Sequence, residues 1–227
     1  MSEAHGIPYR GIEHAESWRL DPARPLSIRV TDARPPALTP AESKRWEEMT
    51  AANPRLFSGP ILAVVTVDPE ASELICRREG YARLVVQPQV RTGVRILAVT
   101  AVLLAKDAAG RPHVLLGRRG RETSFYGGMW ELGPSGGIAP PPPTISTITE
   151  QDIRRQLAEE LEEELDIVAD LAAARVIALA RDDLAMSLDV AVEVDLGPLE
   201  GVLDGLAPAN WEYSEVYWLP LATARVF

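Results

Sequence analysis

The chain has 227 residues, 46% of them hydrophobic and 25% charged, and its 33 acidic against 23 basic side chains give a formal net charge of −10. That is enough chain to bury a core without disulfide or structural-metal staples, and with Cys76 as the single cysteine it excludes an internal disulfide and any Cys-cluster metal site. The acidic balance excludes a general nucleic-acid binder, whose affinity comes from cations laid along phosphates. The apolar run over 96–105 is about half of the roughly 20 residues that span a bilayer. The N-terminus has no basic stretch leading into an apolar one, so a cytoplasmic protein without a membrane anchor is expected.

Residues 1–37, rich in Pro, Arg and Glu, read as an extended arm with a short strand at 26–30. Thr39-Pro-Ala-Glu42 has the form of a capping box with Pro at the first helical position, opening a helix to about Ala52 that Asn53-Pro54 ends. Two strands follow, 60–67 and 73–78, and 81–86 suits either helix or strand. Strands over 96–105 and 113–117 flank Asp107-Ala-Ala-Gly110, the pattern of a β-hairpin. A glycine-rich loop then runs from Ser124 to Gly137, and Pro140–Pro143 form a stiff spacer. Thr149, with Asp152 three residues on, opens a helix to about Ile167. A strand at 174–180 precedes 186–196, where every even position is apolar, the period of a half-buried strand. A loop over 201–210 and a strand over 215–221 complete the pattern.

The helix after Thr149 carries the chemistry. Glu159, Glu160, Glu162, Glu163, Glu164 and Asp166 place six acids in eight residues without a base among them. A solvated face is the ordinary explanation of a charge run. Here, however, the acids crowd the C-terminal half, where the helix dipole already disfavours negative charge, and form like-charged pairs four residues apart. At about 100° per residue, Ile153, Leu157, Leu161 and Leu165 make one apolar stripe. Glu164 falls within the stripe, Glu160 on its edge and Glu163 further round. Glu162 lies on the other flank and Glu159 points away. Glu160, Glu163 and Glu164 are therefore the candidate ligands of a divalent cation, which reverses their mutual repulsion. With oxygen ligands and no Cys or His beside them, Mg²⁺, Mn²⁺ or Ca²⁺ suits the set better than zinc.

These residues resemble the Nudix hydrolases, whose signature is G-x5-E-x7-R-E-U-x-E-E-x-G-U, with U aliphatic. Glu160-Leu-Glu-Glu-Glu-Leu-Asp-Ile167 matches its closing half, with Asp166 in the usual place of glycine. Leu115-Leu-Gly-Arg-Arg119 and Gly128-Met-Trp-Glu-Leu-Gly-Pro-Ser-Gly-Gly137 look like the strand and glycine loop that precede the signature, and Glu215-Val-Tyr-Trp-Leu-Pro220 like a late strand of the fold. The resemblance implies an α/β/α sandwich with a mixed sheet over 91–227, preceded by a β-rich extension over 1–90. It also implies an enzyme that cleaves the diphosphate of a nucleoside diphosphate derivative with Mg²⁺ or Mn²⁺. Carried over by motif position, Glu160, Glu163 and Glu164 are metal ligands, Glu160 or Glu164 also serves the attacking water, and Gly137 supplies a carbonyl ligand. Trp46 and the Asn53-Pro-Arg-Leu-Phe-Ser-Gly59 segment are similar to the Nudix branch that includes UDP-glucose pyrophosphatases, which makes a UDP-sugar the favoured substrate. The same segment also fits a helix exit that packs Leu56 and Phe57 into the core.

The departures define the alternative. Glu159 stands where the signature has arginine, with Arg155 one turn earlier as a partial substitute, and eight extra residues, including the Pro spacer, separate Gly137 from the helix. Glu150 or Gln151 falls near the first signature glutamate. A module that binds a nucleotide or a protein partner without hydrolysing it fits these departures. Arg118, Arg119 and Arg121 are the candidate phosphate clamp. Trp130, His113 and Cys76 are expected to be structural. Trp211, Tyr213, Tyr217 and Trp218 suit core packing, or an interface.

Overall fold

A computed structural model describes residues 15–54, 56–123, 125–203 and 208–224. The first 14 residues of the predicted arm, Arg55 of the Asn53–Gly59 segment, Ser124 at the head of the glycine loop and 204–207 of the predicted late loop lie outside the described residues. In chain order the elements are β1 (Ala15–Arg19), β2 (Ser27–Thr31), α1 (Pro40–Ala52), β3 (Pro60–Asp68), β4 (Glu73–Gly80), α2 (Tyr81–Val85), β5 (Ile96–Lys106), β6 (Pro112–Arg119), β7 (Trp130–Leu132), β8 (Ser135–Gly137), β9 (Thr147–Ile148), α3 (Glu150–Leu165), β10 (Arg175–Asp182), β11 (Ser187–Pro198), α4 (Leu199–Leu203), β12 (Tyr213–Pro220) and α5 (Leu221–Ala224).

The strands join one mixed sheet in the order β1-β10-β11-β5-β3-β4-β2-β9, with β8 and β6 also on β5, and β7 and β12 on β6. The β11–β5 and β2–β4 pairs are parallel; the others are antiparallel. The α/β class and mixed sheet expected from the sequence are thus present, and strands from the first 90 residues share the sheet with those that follow. Period two governs the layers. Leu62 of β3 and Leu97 and Val99 of β5 enter the main core with the α3 stripe Ile153, Leu157, Leu161 and Leu165. Ile61, Ala63 and Ile96 face the other way, where Leu84 of α2 covers them. Helices therefore lie on both faces. In β11 Leu188, Val190, Val192 and Val194 are all buried, as the alternation required. No described helix is long and apolar enough to cross a membrane.

Both predicted capping boxes form: the Thr39 hydroxyl accepts from the Glu42 N–H and the Thr149 hydroxyl from the Asp152 N–H, with both acids reaching back. The helix at 81–86 is short but real. The span 124–137, read as a loop, holds β7 and β8, because the cross-strand partners Leu116–Arg118 and Ala98–Thr100 supply the hydrogen bonds that short glycine-rich segments need. Part of the predicted late loop is α4, and β1 adds a strand to the arm. α3 ends at Leu165, two residues early, with Asp166 left-handed at φ 55°. The Asp166 N–H donates to Glu162 O, the bond of the αL-type helix closure, and the Ile167 N–H donates to Leu161 O. Asp, unlike most residues, tolerates this conformation, which explains how it occupies a position where glycine is usual.

The Pro spacer is anchored. Nη2 of Arg78 donates to the carbonyls of Pro141, Pro142 and Ile145 at 3.0, 3.0 and 3.1 Å. Ile148 pairs with Ile28, and Glu150 accepts from the Leu26 N–H (3.1 Å) and from Arg154 (2.9 Å). The extra residues are held by the N-terminal strands, and Glu150 is occupied in that joint. Cys76 is buried, which pushes its thiol up to about 12. Tyr213 and Trp218 are core residues, whereas Trp211 and Tyr217 are exposed, the latter edge-on to Trp130 at 6.3 Å. Phe57 is 77% exposed, so it does not enter the core as a helix exit would have it.

Candidate functional site

The carboxylates of α3 meet the glycine strand β8. A Cβ on Gly136 would lie 1.9 Å from Oε1 of Glu160, so only glycine leaves room for that carboxylate. Gln156, one turn back, donates to the same oxygen at 3.1 Å. Burial, then the charges of Glu163, Glu212 and Glu159, push Glu160 up to about 7, against the pull of Gln156. Glu164 is 3% exposed, and no described residue donates a hydrogen bond to its carboxylate. Burial, followed by the nearby charges of Glu212, Glu160 and Glu131, raises it further, to about 9.

Alternation along β6 and β7 decides which arginine joins this cluster. Gly117, Arg119 and Glu131 face one side, together with Tyr213. A Cβ on Gly117 would strike the Tyr213 ring at 2.4 Å and one on Gly133 its hydroxyl at 2.0 Å, so two glycines make the slot for that phenol. Glu131 is held by Arg119 Nη1 at 2.6 Å and accepts from the Tyr213 hydroxyl at 3.0 Å. Burial raises the Glu131 carboxyl despite these partners, and burial and the charges of Glu131 and Glu164 raise the Tyr213 phenol. Arg119 also donates to Phe125 O at 3.1 Å, bracing the loop before β7.

Across the glycine strand lies a second group of acids. Asp189 on β11 accepts from Thr100 (3.0 Å) and Ser187 (2.6 Å), and burial raises its carboxyl. The Tyr126 hydroxyl donates to Asp182 at 2.5 Å, which ties the loop before β7 to the β10–β11 turn. Tyr126 takes a left-handed backbone, φ 56°, to do so.

The structure brings Glu160 and Glu164 together and leaves Glu163 at solvent. Glu163 stands two residues from both Leu161 and Leu165, about 200° round from each, so a helix that buries those leucines must turn it outward. Glu159 and Glu162 are exposed as the angular reading expected, and Arg155 pairs with Asp152 at 2.8 Å rather than with Glu160. Gly137 faces Ile96, 3.1 Å from its would-be Cβ, so the close approach to the carboxylates falls on Gly136. Arg118 points to the opposite face of β6 from Arg119. It pairs with Glu215 at 2.6 Å and, with Arg121, Gly128 and Ser214, lines a shallow cleft of about 320 Å³ there. Sequence reasoning missed Glu131, Glu212 and Asp189. The Trp130-Glu-Leu132 alternation was the one available signal for Glu131, too short to read alone.

Glu160 and Glu164 offer oxygens only, the ligand type a hard divalent cation takes, and Glu164 has no hydrogen-bond donor among the described residues. Among the described residues no three acids, histidines or cysteines are already convergent as a metal cage.

No known protein-family model and no curated protein matches the chain. Among solved structures it is similar to the MutT protein from Methanosarcina mazei Go1, with 23% identity over 59% of this chain and 82% of that one, TM-score 0.39. It is similar to a C. elegans Ap4A hydrolase in a binary complex, with 17% identity over 57% and 82%, TM-score 0.39. A Nudix hydrolase from M. smegmatis, RenU, gives 22% identity over 58% and 74%, TM-score 0.39.

Proposed function

We propose that this chain is a Nudix-type hydrolase that cleaves the diphosphate of a nucleoside diphosphate derivative, with a UDP-sugar as the favoured substrate and Mg²⁺ or Mn²⁺ as the ion. The observation that carries this reading is Glu164: a carboxyl only 3% exposed, with no hydrogen-bond donor among the described residues and with the charges of Glu212, Glu160 and Glu131 acting on it, is a costly arrangement that a bound cation offsets. Glu160 and Glu164 would hold the ion, with Glu163 reachable from the solvent side and the Gly136–Gly137 backbone alongside. When bound, the ion neutralises charge on the diphosphate and helps activate water.

The chain's own residues set the geometry. Gly136 makes room for the Glu160 carboxylate, and Gln156 fixes one of its oxygens. Glu131 and Tyr213 hold Arg119 as the positive charge next to the carboxylates, positioned for a phosphate oxygen. Arg118 and Arg121, on the reverse face, are left for the outer parts of a longer substrate. In the reaction water adds to one phosphorus, the bridging oxygen leaves with the other phosphate, and one proton is released. Glu160, half-buried at the cluster's edge, is the group placed to take that proton.

A Mg²⁺-dependent screen of nucleoside diphosphate derivatives, followed by phosphate or nucleotide release, tests this reading. Wild type should turn over at least one of them and Glu160→Gln should lose at least about a hundredfold. Binding without turnover of any member would overturn the hydrolase and leave the binding module.

A further inference from the structure

Among the described residues of the loop between β6 and β7, Tyr126 is the one whose side chain bonds outside the hairpin: its hydroxyl donates to Asp182 Oδ2 at 2.5 Å. The far end of that bond is fixed. Asp182 Oδ1 accepts from the Leu184 and Ala185 N–H groups at 2.7 and 2.9 Å, and the Asp182 carbonyl accepts from Arg95 Nη1 at 2.7 Å. The near end is fixed as well. The Tyr126 carbonyl accepts from the Met129 N–H at 2.9 Å, and the residue is left-handed at φ 56°, a conformation that a bulky side chain keeps only where its surroundings impose it. The preceding carbonyl, Phe125 O, accepts from Arg119 Nε at 3.1 Å and from the Thr123 hydroxyl at 3.1 Å, while Arg119 Nη1 pairs with Glu131 at 2.6 Å. Two of the three guanidinium nitrogens are thus committed, and Nη2 has no partner among the described residues.

A planar guanidinium held at both Nε and Nη1 has its orientation set, so the direction of Nη2 follows from where Phe125 O and Glu131 stand. We propose that Tyr126 is a positioning residue for the diphosphate: its tether to Asp182 holds the Phe125 carbonyl that orients Arg119, and Arg119 then presents Nη2 to a phosphate oxygen. This rests on the hydrolase reading for the identity of the anion. The tether runs from the β6–β7 hairpin to the β10–β11 turn, so two parts of the chain 56 residues apart set one phosphate clamp.

Tyr126→Phe keeps the ring and removes only the hydroxyl. In the full chain its KM for UDP-glucose with Mg²⁺ should rise about three- to tenfold, with kcat within about twofold. Its Mg²⁺-induced thermal shift should match wild type, because the α3 carboxylates are untouched. A tether with a purely structural role would lower the melting temperature and leave KM at the wild-type value, and that result overturns the proposal. Arg119→Lys keeps a charge beside Glu131 and loses Nε, so adding Tyr126→Phe to it should raise KM no further; effects that multiply overturn the route through Arg119. The Arg119 Nε–H signal in a proton–nitrogen spectrum, identified by its loss in Arg119→Lys, reads the tether without turnover. Its exchange with water should quicken about tenfold in Tyr126→Phe, and equal exchange in the two proteins overturns the tether while leaving the hydrolase intact. Should wild type hydrolyse nothing, calorimetry of UDP-glucose with Mg²⁺ takes the place of KM. Equal affinities in wild type and Tyr126→Phe overturn the positioning role alone, and no binding to wild type overturns both readings.

Discussion

Gly136→Ala is the sharpest perturbation the site offers. The added methyl carbon would sit 1.9 Å from Glu160 Oε1, 2.1 Å from Cδ and 2.5 Å from Oε2, whereas ordinary contact begins at 3.4 Å. The carboxylate must therefore retreat by about 1.5 Å, which its flexible side chain can do without moving backbone. Folding should hardly change: alanine restricts the unfolded chain, a gain of roughly 0.4–1 kcal/mol that offsets the local crowding. Catalysis should suffer, because a displacement of about 1 Å in a reacting group costs on the order of a hundredfold. Gly137→Ala is the control: its methyl meets only the end of Ile96 at 3.1 Å, and the residue-137 carbonyl is unaltered. Urea unfolding and initial rates with Mg²⁺ and UDP-glucose read the two quantities separately. Gly136→Ala should unfold within about 1 kcal/mol of wild type and lose about a hundredfold in kcat; Gly137→Ala should lose no more than about threefold. Equal rates in the two variants would refute the placement of Glu160 against Gly136 as the functional geometry.

Mg²⁺ or Mn²⁺ should stabilise the fold by about 2.7 kcal/mol at a hundredfold excess over Kd and so raise the melting temperature; by scanning fluorimetry Glu164→Gln should erase the gain and Glu162→Gln keep it, and equal responses would remove the ion from this helix face. Arg119→Ala strands the mostly buried Glu131 and should cost roughly 3 kcal/mol in urea unfolding, whereas Arg118→Ala breaks an exposed pair and should cost under about 1 kcal/mol; similar costs would contradict the two-faced reading of β6. The Thr149 backbone N–H and then its hydroxyl hold Asp152 below the usual 3.8. That contribution is present above the unfolded value and lost as pH falls through the lowered one, so stability measured from pH 5 to pH 2 should fall less steeply in Asp152→Asn than in wild type.

What the sequence determined by itself is what short-range chemistry sets. The Thr39 and Thr149 caps, the α1 and α3 spans to within two residues, the alternating β11 and the inward turn of Glu160 and Glu164 all follow from neighbours within a few positions. They are local because capping and side-chain periodicity are local. The same periodicity, counted from Leu161 and Leu165, turns Glu163 about 200° from each, so the expectation that it converges with Glu160 and Glu164 set it too near the stripe. The tertiary structure alone decided the rest. It made strands of the glycine segment by supplying β5 and β6 as partners, anchored the Pro spacer on Arg78, and split Arg118 from Arg119 across one strand. It also brought Glu131 and Glu212 from two distant segments near enough for their charges to act on Glu164. Each of these rests on contacts between residues far apart in the chain, and no local pattern encodes which distant partner a buried charge or an unpaired strand edge will meet.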